Sequence, residues 1–188
     1  MSEKTKFRYL IIKQIIFTIL AVLVFIFRET LVEENVLKIA IGSLMILYGV
    51  EEILFEILED GKKFIHKSKT FLGLIELGFG IILLASPIAY EHVCIIWATW
   101  SIIRESYEIR EIVTELKAIV PCIISGLESV AVIVFSVMLI LEPGEHHALI
   151  HMYLLIVELV LSPLIVLLDE IIQAHKEKKN DAIEEKAE

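Results

Sequence analysis

Residues 118–141 read AIVPCIISGLESVAVIVFSVMLIL, and Glu128 is the single charged side chain in the run. A helix needs about 20 apolar residues to cross the hydrocarbon core of a bilayer, so this stretch is long enough to span it. Five more such runs surround it: Tyr9–Phe27, Val36–Leu58, Thr70–Ile88, Val93–Val113 and Ala148–Ile172. They are continuous rather than alternating, which argues for helices over a β-barrel, and open strands would leave backbone groups unpaired in lipid. The expected fold is all-α, a polytopic membrane helical bundle of six transmembrane helices.

Composition points the same way. The 188 residues are 57% hydrophobic, with a mean hydropathy of +0.77. A soluble domain is about 45–50% apolar, and a chain of this size has too much surface to hide the excess. A soluble enzyme domain, a disulfide-stapled secreted protein and a disordered chain are thereby excluded. The net charge of −9 has the wrong sign for a nucleic-acid partner. Cys94 and Cys122 fall inside apolar runs, at opposite membrane faces in this topology, so they read as core residues and not as a disulfide. No small-x-small site follows the basic head and first apolar run, so that run reads as a span rather than a cleaved signal.

Lysine and arginine set the orientation. Lys4, Lys6, Arg8 and Lys13 precede or open the first span, Lys62, Lys63, Lys67 and Lys69 lie between spans two and three, Arg110 and Lys117 between four and five, and Lys176, Lys178, Lys179 and Lys186 in the tail. The alternate connections hold only Arg28 and Lys38. The positive-inside rule then puts both termini in the cytoplasm, in the cytoplasmic (inner) membrane of a prokaryote. No connection is long enough for a soluble domain. Residues 1–173 read as one six-span membrane domain, and the charged residues 174–188 as a cytoplasmic tail, either a solvated helix extension or disordered.

The spans pair as three tandem hairpins, about 8–60, 67–117 and 118–173. FLGLIELGFGIILL (71–84) and IISGLESVAVIVF (123–135) each carry glycine and one glutamate, and ILFEILED (53–60), IREIVTELK (109–117) and VLLDEIIQ (166–173) end alike. Such repeats are parallel, unlike the inverted pairs of many transporters. The segments LLIVELVLSPLIVL (154–167), GLESVAVIVF (126–135) and WATWSIIRESYEI (97–109) are similar to the last, fifth and fourth spans of the HdeD-type acid-resistance membrane proteins, a six-span family of three hairpin repeats. The resemblance covers most of the chain. It implies a link to acid or envelope stress and no known reaction or transported substrate. This chain departs from the family in carrying far more acidic residues within its spans.

Charges at bilayer depth cost about 2.5–3.5 kcal/mol each on insertion scales and mark functional candidates. Here they are Lys13 in span one, Glu51, Glu52 and Glu56 in span two, Glu76 in three, Arg104, Glu105 and Glu108 in four, Glu128 in five and Glu158 in six. A rise of 1.5 Å per residue puts Glu128, Glu158 and Arg104 roughly 15 Å deep, and Glu76 and Glu52 about 9–12 Å from the cytoplasmic end. A shared polar layer between midplane and cytoplasm is expected. Arg104 meets Glu108 at i,i+4, and Glu52 and Glu56 form a like-charged pair at the same spacing. Lys13 and Arg104 cannot neutralise Glu52, Glu76, Glu105, Glu108, Glu128 and Glu158, so some carboxyls must be protonated, bind a cation or reach water. These eight are the candidate proton, cation or polar-network residues. The plainer reading has Glu56, Glu108 and Glu111 solvated near the interface, and Glu52, Glu76 and Glu105 as hydrogen-bonded glue between helices. Pro163 frees a backbone carbonyl near Leu159.

On the outer face lie His92, His146, His147 and His151, with Glu91, Glu142 and Glu145. His147 and His151 are four apart at a helix start, a spacing that can seat two imidazoles on one metal if Glu91 or His92 adds a third ligand. The alternatives are pH sensing and plain solvation. Gly73, Gly78 and Gly80 suit close helix contact, and Trp97, Trp100 and Tyr153 suit interfacial anchoring. No P-loop, nucleophile elbow or zinc-protease motif occurs, so neither enzyme activity nor a cofactor is expected. The leading expectation is a non-enzymatic membrane protein of acid or envelope stress with titratable intramembrane carboxylates. The alternatives are a small proton or cation transporter or channel, and a membrane assembly subunit. The expected partners are the lipid bilayer and either further copies of the chain or another membrane subunit.

Overall fold

The computed structural model describes residues 3–60, 68–114 and 119–184. Lys62, Lys63, Lys67, Lys117 and Lys186 lie outside the described residues, as do the side chains of Lys4, Lys6, Glu111, Lys176, Lys178 and Lys179. The described residues form six helices: α1 (Glu3–Leu31), α2 (Glu34–Asp60), α3 (Ser68–Ala85), α4 (Tyr90–Thr114), α5 (Ile119–Leu141) and α6 (Glu145–Glu184). No strand occurs among the described residues.

Helix ends follow local chemistry. α3 stops at Ala85 rather than Ile88, because Pro87 lacks an N–H and disfavours helical geometry at Ser86. Lys38 Nζ donates to the Ser86 carbonyl at 2.6 Å, satisfying an acceptor that the ended helix leaves open. Pro143 and Gly144 separate α5 from α6. The 40-residue α6 runs through Pro163 and continues past residue 174, so the tail is a helix extension as far as Glu184.

Two stretches, Phe7–Leu31 in α1 and Ile119–Leu141 in α5, are long and apolar enough to cross a membrane. Their large side chains face outward: Ile12, Ile19 and Ile26 on α1, and Leu127, Val130 and Leu141 on α5 are all exposed. In water such contiguous apolar surface is a liability, whereas in lipid it is the ordinary outer face of a helix.

The principal packing pairs are α2–α3, α1–α6 and α4–α5, with α5–α6 next. The hairpin partners α1–α2 and α3–α4 touch far less. The α2–α3 pair has a visible cause. Gly42 and Gly49 on α2 meet Gly80 and Gly73 on α3, seven residues apart on each helix. A Cβ on Gly49 would stand 2.6 Å from the Gly73 carbonyl oxygen, and one on Gly80 would stand 2.7 Å from that of Gly42. The two backbones therefore touch, as small residues permit in membrane helices. Gly78, expected to share this role, faces open space within 4 Å. Gly49→Val is expected to lower stability by about 1–3 kcal/mol through overpacking, while Gly78→Ala is expected to leave it equal or raise it by up to about 1 kcal/mol through helix propensity. Denaturation in mixed micelles, followed by circular dichroism, checks both.

The core is aromatic at its centre. Phe17 and Tyr48 pack edge to face at 5.3 Å, and Tyr48 tilts against Trp100 at 5.7 Å. Trp97 and Trp100, expected at the interface, are 0% and 1% exposed. The Trp100 indole finds a hydrogen-bond partner inside the bundle, described below, whereas Trp97 Nε1 is buried without one. Tyr153 is exposed, and its hydroxyl accepts a hydrogen bond from Arg28 Nε at 2.7 Å. Both cysteines are free thiols.

Candidate functional site

α4 presents Trp97, Trp100, Ser101, Arg104, Glu105 and Glu108 at spacings of three and four, the interval that lines up one helical face. That face turns inward, and Arg104 is its centre. Arg104 Nη1 donates to Glu76 Oε1 on α3, Nε to Glu158 Oε1 on α6, each at 3.1 Å, and Nη2 pairs with Glu108 Oε1 at 3.2 Å. The guanidinium lies 3.7 Å from the centroid of the Tyr48 ring on α2. One side chain thus joins α2, α3, α4 and α6. The planar, forked guanidinium can serve three carboxylates and an aromatic face at once, which a lysine ammonium cannot. Trp100 Nε1 also donates to Glu76 Oε1, at 3.1 Å.

Two further carboxyls reach the same region without partners. Glu105 on α4 is 1% exposed and Glu128 on α5 is 9% exposed, and none of their four oxygens accepts a hydrogen bond. Both lie within electrostatic reach of Glu108, Glu158 and Arg104. Ser129 Oγ is beside Glu105 but outside hydrogen-bonding geometry. Oxygens of Glu105, Glu108 and Glu158 lie within 4.8 Å of one another. The five carboxyls Glu76, Glu105, Glu108, Glu128 and Glu158 therefore surround one cation, Arg104, among the described residues.

Lys13 belongs elsewhere. It pairs with Glu51 at 2.9 Å, and the Tyr9 hydroxyl donates to the same carboxylate. Glu51 was not among the expected network residues, and the adjacent Glu52 was. One residue of helical phase, 100°, turns Glu51 toward α1, and nothing in depth or hydropathy separates the two. Since Lys13 is matched by Glu51, it does not offset the cluster around Arg104. Glu52 is half-buried, near enough to Glu76 to act on it electrostatically. Glu56, expected in water near the interface, is buried. Tyr48 was missed as a site residue. Its signal was an aromatic at the depth of the acidic layer.

The outer histidines separate. His92 and His146 are exposed, and His147 Nε2 stands 3.8 Å from Glu142. His151, expected in the outer group, is buried. Its ring packs edge-on against Trp97 at 4.6 Å, and its Nε2 lies 3.1 Å from Ser101 Oγ. The hydroxyl and the indole draw it inward. Among the described residues, Glu105, Glu108 and Glu158 are the one group of three ligand side chains that converges, so His147 and His151 gather no third ligand. Calorimetric titration with zinc is accordingly expected to give no binding that a His147→Ala, His151→Ala double variant removes.

No family model matches the chain, and no curated protein or solved structure shows significant similarity to it.

Proposed function

We propose that the chain is a six-span protein of a prokaryotic cytoplasmic membrane, built of three tandem hairpins with both termini in the cytoplasm. In this reading it is non-enzymatic, of HdeD type, and acts in acid or envelope stress through interior carboxyls that take up protons or cations from the cytoplasmic side. The observation that carries the reading is the imbalance around Arg104: Glu105 and Glu128 are buried with no hydrogen-bond partner, and a single guanidinium already serves three other carboxylates. Buried carboxyls without a fixed partner need a mobile one. Glu108, at 18% the most exposed of the three carboxylates on Arg104, supplies the route of access from the cytoplasmic end.

The test is a Glu105→Gln, Glu128→Gln double variant. Neither substitution removes an ion pair, so the fold is expected to persist. Cells carrying it are expected to survive acid challenge no better than cells lacking the protein, and proteoliposomes under a pH gradient are expected to show reduced proton or cation uptake. Survival and uptake both at the parental level would refute the reading. In wild-type proteoliposomes, uptake that stops at about one turnover's worth of ions fits a buffering stress protein, and continuous flux fits a transporter.

A further inference from the structure

We propose that Glu105, Glu108 and Glu158 form a binding site for a divalent cation of the oxygen-preferring class (calcium, magnesium or manganese), at the junction of α4, α5 and α6. The proposal rests on reading the interior carboxyls as an ion-accepting layer and names the ion class.

The geometry comes first. The ligand oxygens of the three carboxylates lie within 4.8 Å of one another. Three carboxylates that approach this closely can all reach one cation. The donor set is all oxygen, with no histidine or cysteine in the group, which disfavours zinc and copper.

A second observation points to a ligand. Glu105 is 1% exposed, and both of its oxygens are without a hydrogen bond while lying in the cluster. An ionised carboxylate in that position needs a counter-charge, and Arg104 is already committed to Glu76, Glu108 and Glu158. Arg104 holds one oxygen of Glu108 and one of Glu158. A carboxylate has two, so each can bridge the guanidinium and an ion. The Ser129 hydroxyl is beside Glu105 as a further oxygen donor, and Glu128, also unpartnered, lies within electrostatic reach of the group. A divalent ion with Arg104 would offset three of the five carboxylate charges, leaving two groups to carry protons. Glu108, 18% exposed, provides the way in.

The tryptophans supply the readout. The chain has two, and Trp100 shares the Glu76 oxygen that Arg104 also binds, which puts its indole next to the site. Terbium(III) has the same oxygen preference as calcium and emits when excited through a nearby indole. Full-length protein in detergent, stripped with chelator, is titrated with terbium while tryptophan is excited. A saturable terbium emission is expected, displaced by Ca²⁺. Glu105→Gln and Glu108→Gln are each expected to weaken binding about tenfold or more by removing a ligand. Glu142→Gln, on the outer face, is expected to leave it unchanged. Calcium is further expected to raise the melting temperature of the wild type and not of Glu105→Gln, which is compared at its own chelator baseline so that a folding defect is seen directly.

Absence of sensitised emission, or emission that Glu105→Gln leaves unaltered, overturns the site. If terbium fails while the acid-survival and uptake defects of the Glu105→Gln, Glu128→Gln variant stand, the layer works with protons alone. If both fail, the reading beneath falls as well.

Discussion

Arg104→Gln is expected to destabilise the protein by about 3–5 kcal/mol, the cost of leaving buried charges without their partner. Arg104 contacts Glu76, Glu108 and Glu158 and stacks on Tyr48, so its loss unties α2, α3, α4 and α6 together. Arg104→Lys is expected to recover only a minor part of this. An ammonium is a compact point charge, without the fork that reaches three carboxylates or the flat face that covers a ring. If the damage comes from stranded charge, neutralising the partners should relieve it. Arg104→Met combined with Glu76→Gln and Glu158→Gln is expected to be more stable than Arg104→Met alone, and with the Glu76→Gln, Glu158→Gln variant it closes a cycle whose coupling energy has the sign that contacting residues show. Equilibrium unfolding in mixed micelles measures these variants against the wild type. An Arg104→Gln variant within about 0.5 kcal/mol of the wild type would mean the pairs are solvated, as surface pairs are.

What the sequence disclosed was what depends on depth along a helix. The apolar run at 118–141 and its fellows predict helices whose observed limits differ mostly by a few residues, because hydropathy is a one-dimensional property. Glu128, Glu158 and Arg104 shared a predicted depth near mid-bilayer, with Glu76 nearer the cytoplasm, and Arg104 meets Glu76, Glu108 and Glu158. Arg104 with Glu108 followed from i,i+4 spacing alone. What depends on helical phase and on the choice of partner helix was hidden. Glu51 rather than Glu52 meets Lys13, Trp97 and Trp100 turn in rather than out, and His151 leaves the outer group for Ser101. Helix pairing was hidden for a different reason. Short outer loops suggested α1–α2 and α3–α4 as neighbours, whereas the glycines at 42, 49, 73 and 80 let α2 and α3 approach most closely. Their equal spacing of seven was readable, but a match between two helices has meaning only once they are known to pack against each other.

Removing Glu128 is expected to do the opposite of removing Arg104. The side chain lines an open groove between α5 and α6 with Ile124, Leu127, Val132, Leu154 and Val157, an apolar surround, and its carboxyl has no hydrogen bond. An unsatisfied buried polar group costs about 1–3 kcal/mol, so Glu128→Leu, measured in chelator, is expected to gain a stability increment in that range. Glu105→Met is expected to gain likewise, since it too lacks a partner. Glu158→Leu makes the contrast. It has the same chemistry and nearly the same depth, but it strips Arg104 of a 3.1 Å contact and is expected to lose about 3–5 kcal/mol. Unfolding curves for the three variants therefore test the division of the layer into paired and unpaired acids through a difference in sign, which errors in magnitude do not erase. A stabilised Glu128→Leu that also fails in acid survival would show the exchange expected of a functional site, where stability is given up for a group held ready for its ligand. If Glu128→Leu and Glu158→Leu destabilise to the same extent, the acids are equivalent, and the unpartnered carboxyls no longer set the ion-accepting role apart from the structural one.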